Sequence, residues 1–148
     1  MIVDTSALLA FFDSDEPDHV AVSGVLASAS EPLVVSPYVV AELDYLVASR
    51  LGGPAELAVL QELSSGAWDL PAFDSEDLAE ARAVVERYAD HSIGVADASN
   101  VVLAARYRTR TIATLDRRHF EVVRPTGGGA SRSCPDEDHA PSQVELAT

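Results

Sequence analysis

Short strand-like apolar segments alternate along the chain with longer segments whose apolar residues recur at helical spacing. Residues 1–3 (Met-Ile-Val) read as a buried strand closed by Asp4, followed by Thr5-Ser6 and the apolar run from Ala7 to Phe12. The cluster Asp13-Ser14-Asp15-Glu16-Pro17 carries helix-start signals, with Pro17 tolerated in a first turn, and predicts a helix through Val20, Val22, Val25 and Leu26. Residues 32–36 form a second predicted strand. Ser36-Pro37 then caps a helix whose apolar face is Val39, Val40, Leu43, Leu46 and Val47. Gly52-Gly53-Pro54 breaks the chain before a helix over 55–63.

A short strand is predicted at 68–70, and Asp74-Ser75-Glu76-Asp77 opens a helix reaching Tyr88. A helix over 94–106 follows, with a core stripe of Val95, Ala98, Val101, Val102 and Ala105 and a separate face bearing Asp97, Asn100 and Ala104. Residues 111–115 are a third buried strand and 120–123 an edge strand. Strands alternating with helices imply an α/β fold with a mostly parallel central sheet flanked by helices. From Pro125 the composition turns to Gly127-Gly128-Gly129, then Ser, Pro and acidic residues, which predicts a disordered C-terminal tail over 125–148. The domain proper is expected to span 1–124.

Composition narrows the class. At 148 residues the chain is one domain with room for a core. No apolar run approaches the roughly 20 residues that cross a bilayer, and the strand-like start lacks the basic residues of a signal peptide. One cysteine, Cys134, has no internal partner, so a cytoplasmic setting is expected. The net charge of −14 argues against sequence-blind nucleic-acid binding through a basic surface, although bound metals can supply positive charge locally.

Four of the acidic residues fall where chemistry is expected. Asp4 and Asp116 end predicted strands, Asp97 lies in the first turn of a helix, and Glu42 lies one turn into another. In open parallel sheets, ligands bind beyond the carboxyl ends of the strands. Carboxylates gathered out of water repel, and each resists ionisation unless something positive joins them. The chain has no lysine. Arginine, protons or a divalent cation remain, and hard oxygen clusters favour Mg²⁺ or Mn²⁺. The expectation is a metal-dependent enzyme acting on phosphodiesters, whose metal-free form gains stability when Asp4 or Asp97 is neutralised to Asn. Structural readings stand beside this: Asp4 and Asp116 suit helix caps, and Asp97 suits the positive end of a helix dipole. Periodicity does not choose between Glu42 and Asp44, which border opposite sides of the same apolar stripe.

All ten basic residues are arginine. Arg106, Arg108, Arg110, Arg117, Arg118 and Arg124 fall in one stretch around Asp116, where they read either as solubilising charge or as a phosphate-gripping rim. The four histidines are scattered without ligand spacing, so a histidine-based zinc site is not expected.

Four segments together resemble the PIN-domain family. Val3-Asp4-Thr5-Ser6 is similar to its first motif and Ala41-Glu42-Leu43 to its second. Gly94-Val95-Ala96-Asp97-Ala98-Ser99 resembles the third, and Ala113-Thr114-Leu115-Asp116-Arg117-Arg118-His119-Phe120 the fourth, in the family's order and spacing over 1–124. The short single-domain form is similar to VapC-type toxins of bacterial toxin–antitoxin pairs. The resemblance implies an endoribonuclease dependent on Mg²⁺ or Mn²⁺, with Asp4, Glu42, Asp97 and Asp116 as catalytic metal ligands, which selects Glu42 over Asp44. It implies Thr5, Ser6, Asn100 and Thr114 around the metals, and a homodimer silenced by a small antitoxin protein. Arg108, Arg110, Arg117 and Arg118 are the candidate RNA contacts.

Two alternatives remain. A phosphotransfer protein built on Asp4 would want a lysine and an Asp-x-Asp pair, and the chain has neither at that site. A non-catalytic domain of the same fold would bind RNA or a partner without cutting.

Overall fold

The structure is a computed structural model; it describes residues 1–91 and 93–116, and the backbone of 145–147. The elements in order are β1 (Ile2–Val3), α1 (Thr5–Phe12), α2 (His19–Ala27), α3 (Pro37–Arg50), α4 (Gly53–Leu63), α5 (Ser75–Arg87), a 3-10 turn (Ala89–His91), α6 (Val95–Arg106), β2 (Ile112–Thr114) and β3 (Glu145–Ala147).

β1 pairs in parallel with β2, Ile2 opposite Ile112 and Val3 opposite Ala113. The predicted strands at 32–36 and 68–70 are present as single parallel bridges, Ile2 to Val34 and Val34 to Asp69. They stay short for local reasons. Pro32 has no N–H to give, and Ser36 is already the N-cap of α3, its hydroxyl accepting from Tyr38 N at 3.2 Å. Only Leu33 to Val35 remain to pair, through Val34 N to Met1 O and Val35 N to Asp69 O, both 2.9 Å. β3 runs antiparallel to β2, so residues 145–147 of the expected tail take part in the sheet. The rest of that tail, and the predicted edge strand at 120–123, lie outside the described residues.

Alternation along these strands divides the core. Val3, Val35 and Ala113 pack with α1, α2, α3 and α4 on one face. Ile2, Val34 and Ile112 pack with Leu103 and Ala104 of α6 on the other. Both faces are covered, which is why the strands read as unbroken apolar runs. Leu8 and Leu43 are fully buried, and truncating either to Ala would cost about 2–5 kcal/mol.

Two expectations are corrected. The 13–17 cluster forms a turn, with Asp13 Oδ1 accepting from Asp15 N at 3.0 Å, and the helix starts only at His19. Asp and Ser serve turns and helix caps alike, so their presence leaves the two undecided. The second correction concerns α6, which buries Ala96, Ala98, Ser99, Asn100, Val102, Leu103 and Ala104, while Val95 is 42% exposed. This helix is wedged between the sheet and α5. Leu103 and Ala104 meet the strands, and Ala98 and Val102 meet Ala81, so a single-stripe reading fails and the face carrying Asn100 is interior.

Candidate active site

Asp4 follows β1 and caps nothing with its side chain, although it occupies the N-cap position of α1. Its carboxylate is 5% exposed and is met from three directions. Asn100 Nδ2 donates to Oδ1 at 3.0 Å, while Ser6 Oγ and Thr114 Oγ1 donate to Oδ2 at 2.8 and 2.9 Å. Each hydroxyl is oriented in turn by a backbone N–H: Leu115 N donates to Ser6 Oγ at 2.9 Å, and Asp116 N to Thr114 Oγ1 at 3.0 Å. The first strand, the helix after it, the end of β2 and α6 thus converge on one carboxylate. Thr5, the next residue, donates to Glu42 Oε2 at 2.6 Å and ties α1 to α3.

A pocket of about 370 Å³ opens here, lined by Asp4, Thr5, Ser6, Glu42, Asp97 and Asp116, with Glu16, Arg50 and the apolar Leu9, Ala10, Leu46 and Leu115. The sheet brings the four expected carboxylates to its carboxyl edge, and Asp44 is not among the lining residues. Asp97 Oδ2 accepts from Gly94 N at 3.1 Å, the first-turn contact that a dipole partner makes. It lines the pocket as well, so the helix-end contact and a place in the pocket coexist in one side chain.

Among the described residues, no group of three or more His, Cys, Asp or Glu side chains forms a ready-made metal cage. The donor set nevertheless suits a hard cation. A carboxylate has about four acceptor sites, and protein donors occupy three on Asp4. Asn100 Oδ1, buried beside it, has no hydrogen-bond partner. A buried acceptor without a donor is costly, and a hydrated cation held by the surrounding carboxylates would relieve it.

The arginine rim separates into three cases. Arg106 pairs with Asp77 and donates to Ala72 O at 2.8 Å, which fastens α6 to α5. That pairing holds the Asp77 carboxyl below the usual carboxylate range and pushes the guanidinium up. Arg108 and Arg110 precede β2 whereas Asp116 follows it; six residues of extended chain separate Arg110 from Asp116 by about 20 Å. They do not line the pocket. Nearness in sequence becomes separation once a strand intervenes, so Arg108 and Arg110 stand apart from the pocket. Arg117, Arg118 and Arg124 lie outside the described residues. Sequence reading missed Glu16 and Arg50. Arg50 was legible, since 42, 46 and 50 fall on one helix face; Glu16 was not, because its turn read as a helix.

The PIN-domain family model matches residues 1–125. The chain is 64% identical over 129 residues to Ribonuclease VapC26 of Mycobacterium tuberculosis, covering 87% of this chain and 96% of that protein. Its fold is similar to the crystal structure of M. tuberculosis VapC20, described as a sarcin–ricin-loop-cleaving toxin, at a TM-score of 0.76 and 20% identity over 84% of this chain and 98% of that one. FitAcB from Neisseria gonorrhoeae is similar at a TM-score of 0.60 and 26% identity, over 81% and 90% of the two chains. The chain belongs to the PIN-domain family and to its VapC-type branch.

Proposed function

We propose that the chain is an endoribonuclease dependent on Mg²⁺ or Mn²⁺, the toxin of a VapBC-type pair, acting in the cytoplasm. The observation that carries this reading is the Asp4 carboxylate, fixed by Asn100, Ser6 and Thr114 at the floor of a pocket that Glu42, Asp97 and Asp116 share. The 64% identity to a protein named a ribonuclease supports the same activity.

Asp4, Glu42, Asp97 and Asp116 would hold the ion. When bound, it supplies Lewis-acid stabilisation of charge on the phosphoryl oxygens and activates water as the nucleophile. The chain's own part is positional. Three donors keep the Asp4 carboxylate aimed, and Thr5 steadies Glu42. The acidic lining repels an RNA strand unless cations are present, so binding and metal loading are coupled.

A small antitoxin protein is the expected partner. An arginine from it could satisfy these carboxylates bidentately and compete with the ion. A homodimer is part of the same reading, supported by apolar side chains left outside: Val20, Tyr45 and Leu57 are 81, 72 and 69% exposed.

The test is cleavage of total bacterial RNA by purified protein with Mg²⁺ or Mn²⁺, with and without chelator. Cleavage that chelation stops and Asp4→Asn abolishes is expected. A folded wild-type protein that leaves RNA intact with either ion would return the reading to a non-catalytic domain.

A further inference from the structure

Among the described residues lining the pocket there are five carboxylates and a single cation, Arg50. Arg50 is exposed in the last turn of α3 and makes no ion pair with any described residue, although Glu16 and Glu42 line the same pocket. A basic residue in a last helical turn gains a little from the helix dipole. That accounts for a cation somewhere in this turn and not for its place on the face it shares with Glu42.

Helix geometry fixes the reach. Glu42, Leu46 and Arg50 stand at successive i, i+4 positions, so about 12 Å of helix axis separates the first from the last. Arg50 is too distant to grip the phosphate that meets Asp4 and Glu42. Leu46 lies between the two charges, and Leu9, Ala10 and Leu115 line the same pocket, an apolar floor on which a base or ribose can pack.

We propose that Arg50 holds a phosphate flanking the scissile one, so that the RNA strand lies along α3 from Glu42 towards the α3 C-terminus. This rests on the nuclease reading above and goes beyond it by naming the contact that positions substrate. A guanidinium suits this place because it grips phosphate bidentately. Among the described lining residues it is the one group that attracts a phosphate without a metal. The contact is made equally in ground and transition states, so it acts on KM and spares kcat.

The experiment uses an oligoribonucleotide spanning a site that the wild type cuts, with wild-type, Arg50→Ala and Arg50→Lys proteins at several KCl concentrations. Arg50→Ala is expected to raise KM about tenfold with kcat within about twofold, as lost uniform binding requires. It should also flatten the dependence of log kcat/KM on log salt by roughly 0.7, the single-strand value for one phosphate contact. Arg50→Lys should keep the salt slope and recover KM only partly. A neutral methylphosphonate placed at each flanking position in turn should find one position that costs the wild type about as much as Arg50→Ala, and costs that variant nothing further. Unchanged KM and salt slope, or methylphosphonate effects equal in both proteins, would overturn the proposal. Faster cleavage by Arg50→Ala would overturn it too, by making Arg50 a shield. A wild type that cuts no RNA sinks the nuclease reading itself, an outcome distinct from these.

Discussion

Asn100 Nδ2 on α6 donates to Asp4 Oδ1 at 3.0 Å, joining two residues 96 positions apart in a contact closed to solvent. The helix that carries the third motif thereby orients the carboxylate of the first. Asn100→Ala removes a hydrogen bond to a charged group, a contact worth about 1.5–3 kcal/mol. We expect thermal unfolding several degrees lower, and cleavage reduced roughly 10- to 100-fold, as for other groups that orient metal ligands. Wild-type kcat in a folded Asn100→Ala protein would remove Asn100 from the site.

Thr5 bonds to Glu42 across 2.6 Å, and this hydroxyl is what distinguishes Thr from Val here. Thr5→Val keeps the shape and deletes the donor. Because Glu42 is exposed, the cost to stability should be small, about 1 kcal/mol or less. The loss should fall on activity, since an exposed Glu without its donor samples other rotamers. The midpoint of the Mn²⁺ dependence of cleavage is the measurement, and it should move to higher Mn²⁺. No movement would mean that Glu42 is positioned by the ion alone.

The elements that were legible in the sequence are those whose cause is local. Apolar runs closed by Asp4 and Asp116 gave β1 and β2 because a strand buried on both faces needs no polar alternation, and Ser36-Pro37 announced α3 because a cap is a short-range device. What stayed hidden depends on distant packing. Asn100 looked like part of a polar face until that side of α6 was seen to lie against the strands, where Leu103 and Ala104 meet Ile2 and Val34 and Asn100 meets Asp4. Arg108 and Arg110 looked close to Asp116 because sequence distance ignores the direction of the strand between them. Glu16 reached the pocket only because its segment turned instead of coiling.

Asp77 and Arg106 give a pH signature away from the site. The guanidinium beside it, with further help from Asp74 N, holds the Asp77 carboxyl below the usual carboxylate range. A carboxylate whose pKa is lower folded than unfolded contributes stability above the unfolded value and loses it as pH falls through the folded one. Asp77→Asn should therefore unfold at a lower temperature than wild type around neutral pH, with the gap closing as pH falls below the ordinary carboxylate range. Arg106→Ala should show the same trend and leave KM for RNA unchanged. A raised KM would restore Arg106 to the substrate rim.

Metal loading separates two carboxylates that the sequence treats alike. Neutralising either Asp4 or Asp97 was expected to stabilise the metal-free chain by relieving repulsion. The geometry reverses that for Asp4. Its two oxygens accept from Asn100 Nδ2, Ser6 Oγ and Thr114 Oγ1, and an amide must turn its NH₂ towards one of those donors. Ser6 and Thr114 cannot freely reorient, because each already accepts a backbone N–H. An unmatched buried pair costs about 1–3 kcal/mol, more than partial relief of repulsion returns in a pocket open to water. Asp97 differs: the contact from Gly94 N needs one acceptor oxygen, which an amide still offers. We expect metal-free Asp4→Asn to unfold below wild type and Asp97→Asn at or above it. Wild type should gain thermal stability with added Mg²⁺ or Mn²⁺, because a ligand that binds only the folded state stabilises it by mass action, and both variants should lose most of that gain. Differential scanning calorimetry with and without each ion makes the comparison. A metal-free Asp4→Asn protein more stable than wild type would show that repulsion outweighs the three donors, and a full metal-induced shift in either variant would remove that residue from the ion's ligands.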